Sequence, residues 1–232
     1  MSIMSTNNFS EACGTYKLLR EMGYPEKATL KLVGDRHNLS RTQRNCLFRG
    51  VIVRRMAAER VKRVVTPPVA AGMSLGLDWY NVLITVESYL KGQVLFICDD
   101  GMLRDASATH GSYRATPQTG RAMVEIVAEV SRLEPSRVDV FLDMPIAFSG
   151  LMAEDVRSRL ASLAFASEVV LVPSADFPLK AYGGTVATSD SAILDSCVQA
   201  LDLARLVLER RFGFNPPAVH ELFAGFPGSP QQ

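Results

Sequence analysis

The 232-residue chain is 47% hydrophobic and 21% charged, which is ordinary for a globular protein and long enough to bury a full core. No apolar run approaches the roughly 18 residues needed to span a bilayer, and the start MSIMSTNNFSEACG lacks the charged-then-apolar build of a secretory leader, so a cytoplasmic protein without membrane contact is expected. The formal charge of +1 hides a division: residues 1–70 hold 13 Lys/Arg against 5 Asp/Glu, and residues 71–232 hold 12 against 19. Such an asymmetry suits polyanion binding by the first part and cation binding by the second.

In chain order, FSEACGTYKLLREMG has apolar residues at helical spacing, with Ser10 as N-cap and Gly23 as stop. A second helix follows Tyr24-Pro25 and runs to about Asn38. Ser40 opens a third, SRTQRNCLFRGVIVRRMAAERVKRVV, with a break expected at Gly50, and Pro67-Pro68 marks the linker. The pattern then changes to short apolar runs alternating with amphipathic stretches. Strands are expected at 73–78, 93–100, 137–143, 167–176 and 185–190, and helices at 81–90, 116–133, 150–166 and 191–212. The expected fold class is α/β: a parallel sheet with helices on both faces over 71–212, preceded by a small basic helical region over 1–68 and followed by a partly disordered tail over 213–232.

The four cysteines (Cys13, Cys46, Cys98, Cys197) have no short paired spacing, and the three histidines form no cluster in sequence. A zinc site and a disulfide framework are therefore not expected, and any metal must be held by carboxylates.

Ligand sites in open parallel sheets lie outside the carboxyl ends of the strands. Asp78, Asp99/Asp100, Asp143 and Asp190 all end an expected strand, and the fourth run continues to Asp176. Two carboxylates about 5 Å apart repel by roughly 3 kcal/mol at an effective dielectric near 20, so a gathered set favours a bound cation. Hard oxygen donors select Mg²⁺ or Mn²⁺, which take phosphate oxygens readily and activate water. The expected metal set is Asp78, Asp100, Asp143 and Asp190, with Asp78, Asp143 and Asp190 catalytic. Aspartate is also a common cap and turn former, and either Ser189 or Asp190 is placed to cap the last helix. Asn81, three residues after Asp78, suits a phosphate contact or a cap; Glu87 suits a solvent-facing position equally with a site role.

The long polar stretch 101–117 offers Arg104, His110 and Arg114 for phosphate and Tyr113 for stacking on a base, while Asp105 is a further acid for the metal site.

LDWYNVLIT (77–85) resembles the first strand of PIN-like and NYN-type ribonuclease domains, where an Asp is followed closely by Asn. VATSDSAIL (186–194) resembles their last strand, where a Ser/Thr-Asp step precedes the final helix. The whole chain also resembles an uncharacterised family with a basic helical N-terminal region before such a domain. The resemblance implies a metal-dependent endoribonuclease fold in which Asp78 and Asp190 match the two motif aspartates, with Asn81 and Ser189 beside them. The second-helix glutamate of many PIN domains has no certain counterpart in this chain.

Residues 36–63 hold nine Lys/Arg against Glu59 alone. On one continuous helix from Ser40, Arg41, Arg44, Arg55 and Lys62 fall on one side, suiting salt-sensitive contacts to nucleic-acid phosphates. The functional expectation is therefore Mg²⁺- or Mn²⁺-dependent hydrolysis of RNA, with RNA as partner and a homo-oligomer allowed. The alternative is an RNA-binding module with an incomplete acid site. A haloacid-dehalogenase-type phosphatase is disfavoured, because Pro145 stands where its second acid belongs. The chain has neither a GxxxxGK[ST] nor a GxGxxG turn.

Overall fold

The computed structural model describes residues 8–67, 72–107 and 113–223, which fall into two compact units. The first draws on Met1–Ala58, Val94–Ala108 and Pro216–Gln232; the second on Glu59–Gln93 and Thr109–Asn215.

The first unit is built on helices α1 (Asn8–Glu21), α2 (Glu26–Arg36) and α3 (Arg41–Gly50), with α4 (Arg54–Val61) beginning in it. Ser10 lies inside α1, which starts two residues earlier, so it is not the cap. Gly23 does end the helix: its φ is +87°, and its N–H and that of Tyr24 return to the carbonyls of Arg20 and Leu19. Ser40 and Gln43 cap α3 reciprocally. The expected break at Gly50 is present. A β-carbon there would fall within 2.7 Å of Val219 and Phe96 side-chain atoms, so only glycine admits that packing.

The run at 93–100 corrects the expectation of a second parallel strand. Its strand β2 (Leu95–Ile97) turns back on β3 (Leu103–Asp105) as an antiparallel pair in the helical unit. Ile97 also bonds the Pro217 carbonyl at 2.9 Å, next to a short 3₁₀ helix (Val219–Glu221). Phe9, Tyr16, Cys46, Leu47, Phe96, Cys98 and Val219 meet in one buried core, so three separated stretches of chain complete this unit. The expected disorder of FPGSPQQ falls outside the described residues.

The second unit is α/β. Strands β1 (Ser74–Asp78), β4 (Arg137–Asp143), β5 (Ala166–Val172), β6 (Thr185–Ala187) and β7 (Gln199–Leu201) form a parallel sheet in the order β5-β4-β1-β6-β7. Between them run α5 (Trp79–Leu90), α6 (Thr119–Arg132), α7 (Ser149–Leu160), the short α8 (Asp176–Lys180) and α9 (Ser191–Leu194), with α10 (Leu203–Phe212) after β7. Helix α5 is buried from Trp79 to Ser88 except at Asn81, because it lies against the sheet and is covered by α6 and α10.

One long helix over 191–212 was expected, but the segment is α9, a turn, β7 and α10. The apolar residues of 198–201 satisfy the helical period, yet Gln199–Leu201 pair with β6, and Asp202 starts α10 anew by accepting the Arg205 N–H at 3.0 Å. Residues 63–65 bridge to Ala200 on the outer side of β7. Among the described residues no helix is long and apolar enough to cross a membrane.

Candidate functional site at the carboxyl edge of the sheet

Chain connections from β1 lead to β4 on one side, while β6 and β7 lie on the other. The direction of winding thus reverses beside β1, and such a switch point opens a crevice at the carboxyl ends of its strands. Asp78 ends β1. Register pairs Leu77 with Ala187, so Thr188 follows on β6 at the level of Asp78. On the other side Asp78 pairs with Phe141, which puts Asp143 two residues further along β4 on the same pleat face.

The bonds at this edge are specific. Thr188 Oγ1 donates to Asp78 Oδ2 at 2.7 Å and accepts the Asp190 N–H at 3.0 Å. Asn81, on the first turn of α5, accepts from the Ser189 N–H at 2.8 Å and from its hydroxyl at 3.1 Å, both at Oδ1. The backbone N–H can only donate, so the amide oxygen must face Ser189. Nδ2 is left as an oriented donor with no partner among the described residues. Asp78 is 3% exposed, whereas Asn81, Asp143 and Asp190 are half-buried and reachable from solvent.

Asp190 is the cap of α9: its Oδ1 accepts from Ala192 and Ile193 N–H at 2.7 and 3.3 Å. Of the two residues considered for that role, Ser189 is the one turned to Asn81. Asp143 Oδ1 accepts the Ala175 N–H at 3.0 Å. Burial, together with the Asp143 charge, pushes the Tyr80 phenol up to about 12.

The expected metal set is therefore corrected in part. Asp100 is in the helical unit, fully buried, and held by both terminal nitrogens of Arg104 at 3.0 and 2.9 Å. Arg104, 2% exposed, is no phosphate ligand. Asp99 bonds Lys17 and His220, and Asp105 pairs with Arg49 at 3.2 Å. Among the described residues, no three His, Cys, Asp or Glu side chains form a group able to hold a metal ion. The oxygen donors left at the edge suit a hydrated Mg²⁺ or Mn²⁺ resting on one or two carboxylates, not a closed protein cage.

Other expectations change too. Tyr113 is buried, and its hydroxyl donates to Glu87 at 2.5 Å, so it stacks on no base. Glu87 is neither solvent-facing nor at the edge: wholly buried, it accepts from Tyr113, Thr116, Thr119 and Lys91 and so fastens residues 113–119 to α5. Arg114 is exposed on that segment, and His110 lies outside the described residues.

The proposed basic face is divided. Arg41 and Arg55 are exposed, but on different helices. Arg44 is turned to the Leu39 carbonyl and Asp35, and Lys62 lies beyond α4 and pairs with Glu59. Arg60, buried, clamps Asp195 with two bonds. Sequence reasoning passed over Thr188, whose signal was its place two residues before Asp190 in TSD, a spacing at which a threonine hydroxyl meets a backbone N–H.

Strand order and edge chemistry define a doubly wound α/β protein with an acid-and-amide site at its switch point. The chain belongs to the family described as "Domain of unknown function (DUF5616)", which matches residues 69–206, and residues 8–63 match "Protein of unknown function (DUF434)". It is 26% identical over 181 residues to the uncharacterized protein MJ0935 of Methanocaldococcus jannaschii, covering 78% of this chain and 86% of that protein. No solved structure matches the chain significantly.

Proposed function

We propose that the α/β unit is a PIN-like, metal-dependent ribonuclease and that the basic helices contribute RNA binding. The observation that carries this reading is the switch point, where Asp78 at the end of β1, Asn81 on the helix that follows it and Ser189 after β6 come together beside the winding reversal. Asn81 Nδ2 is a pre-oriented donor for a non-bridging phosphate oxygen, and orientation fixed before binding lowers the cost of holding the substrate. Asp78, with Asp143 or Asp190, are the residues that would hold a hydrated Mg²⁺ or Mn²⁺. Such an ion supplies an activated water and neutralises phosphate charge.

The test is cleavage of labelled RNAs with Mn²⁺, Mg²⁺ or EDTA by native protein, Asp78→Asn, Asp143→Asn and Asn81→Ala. Metal-dependent cleavage that vanishes in the two aspartate variants and falls roughly 100-fold in Asn81→Ala, the size of losing one aimed donor, is the expected result. A second reading is a non-catalytic RNA-binding module, favoured by the lack of a three-acid group among the described residues. RNA binding without cleavage in any metal selects it.

A further inference from the structure

Helix α9 has only four residues, Ser191–Leu194, far fewer than a helix needs to hold its shape unaided. It nevertheless follows directly on the two residues that complete the acid edge from the β6 side. Ser189 fixes the Asn81 amide through its N–H and hydroxyl. Asp190 gives Oδ1 to the Ala192 and Ile193 N–H groups, and its Oδ2 has no partner among the described residues.

Arg60 grips this turn at both ends. Its Nη1 donates to Ser191 Oγ at 3.2 Å, while Nε and Nη2 donate to the two carboxylate oxygens of Asp195 at 2.7 and 3.0 Å. Ser191 is the first residue of α9 and Asp195 its C-cap. A planar guanidinium fits a carboxylate in one orientation, so three bonds from one rigid group leave the turn little freedom to rock. Arg60 is buried, and the residues after it are pinned along β7: the Arg63 carbonyl accepts the Ala200 N–H and the Val65 N–H bonds the Ala200 carbonyl, both at 2.8 Å. Arg60 and Arg63 belong to the basic run that precedes Pro67-Pro68, yet both lie in the α/β unit.

We propose that Arg60 is a positioning residue for the acid edge: by clamping α9 it sets the direction of Asp190 Oδ2 and, through Ser189, of Asn81 Nδ2. The inference rests on the ribonuclease reading given above and adds to that site a residue from ahead of the linker. Asp78 is held by Thr188, before the turn begins. Loss of the clamp therefore weakens the edge from its β6 side without emptying it.

The test compares the native full-length chain with Arg60→Lys, Ser191→Ala and Arg63→Met. Arg60→Lys keeps the charge and loses the fork, and Ser191→Ala removes only the grip on the first residue of α9. Arg63→Met is the control, because it drops the bond to the Leu194 carbonyl at the other end of the turn and loosens the same segment. Melting temperature is read for each, with Mn²⁺ affinity from the electron paramagnetic resonance signal of free ion in the absence of RNA. Cleavage of a labelled RNA at saturating Mn²⁺ then gives kcat and KM. Arg60→Lys is expected to lose roughly 10-fold in Mn²⁺ affinity and in kcat, the lower end for a group that orients ligands from behind, with KM unchanged within about twofold. Ser191→Ala shows a smaller loss of both at the native melting temperature, and Arg63→Met melts lower but keeps both. Losses in Arg63→Met equal to those in Arg60→Lys make the clamp a general stabiliser and overturn the proposal. Native Mn²⁺ affinity in both Arg60→Lys and Ser191→Ala overturns it as well. Native protein that binds Mn²⁺ but cleaves nothing overturns the ribonuclease reading alone, since the affinity comparison still decides on Arg60. Native protein that binds no Mn²⁺ overturns both.

Discussion

Thr188 Oγ1 lies 2.7 Å from Asp78 Oδ2, a buried hydrogen bond that joins the ends of β6 and β1. Thr188→Val keeps the shape and removes the donor, leaving a buried carboxylate short of a partner. The expected loss is about 1–3 kcal/mol, read as a lower urea midpoint. Thr188→Ser, which restores the hydroxyl, should recover most of it; a Val variant as stable as the native chain would refute the bond's role.

Asp100 and Arg104 are both sealed from solvent and bonded twice to each other. Burial works against the Arg104 charge, and the partners Cys98 and Asp100 more than restore it, so its pKa lies above the usual arginine value. Asp100→Asn strands a buried cation and should cost about 3–5 kcal/mol. The double variant Asp100→Leu/Arg104→Met removes both charges and should melt closer to the native temperature than the single one. Equal melting of single and double variants would contradict this.

Acid stability depends on Asp99. Burial raises its carboxyl, but bonds from His220, Lys17 and the Ile52 N–H outweigh that and hold it below the ordinary value of 3.8. A carboxyl lower in the folded chain contributes stability that is complete above the unfolded value and is lost as pH falls through the folded one. The contribution should therefore disappear below about pH 4. In a stability-against-pH curve Asp99→Asn should be flatter than native there and lower at neutral pH; identical slopes in that window would exclude the mechanism.

Burial pushes the thiols of Cys13, Cys46 and Cys98 up to about 12, and that of Cys197 is raised as well. Thiolate is the reactive form, so folded protein at pH 8 should react slowly with a chromogenic disulfide reagent and release the full four equivalents only in denaturant. Rapid reaction of any of the four in the folded chain would show that burial does not protect it.

The sheet was largely legible, because β1, β4 and β5, of five to seven residues, are apolar runs separated by amphipathic stretches. The acid edge was legible in Asp78, Asp143 and Asn81 for the same reason, since topology places strand ends together. Residues 93–100 were misplaced because an apolar run states that it will be buried, not which partner buries it. The clue was Arg104, four residues after Asp100, a charge complement across a tight turn. Strand β7 is three residues long and fits the helical period of its neighbours, so only pairing with β6 reveals it. Glu87 was illegible in principle: the residues that satisfy it are Lys91 on its own helix and hydroxyls 26 to 32 positions away.

The helical unit closes its core with Phe96 and Cys98 from the β2 region and with Val219 and Leu222, which follow the whole α/β unit in sequence. A ribosome therefore synthesises α1 to α3 long before the residues that cover them exist. Until residues 219–222 have emerged, the core of Tyr16, Cys46 and Leu47 lacks part of its cover, while the α/β unit already has all its strands. Expressing residues 1–68 alone would reproduce that unfinished intermediate, a sticky helical fragment and not a domain.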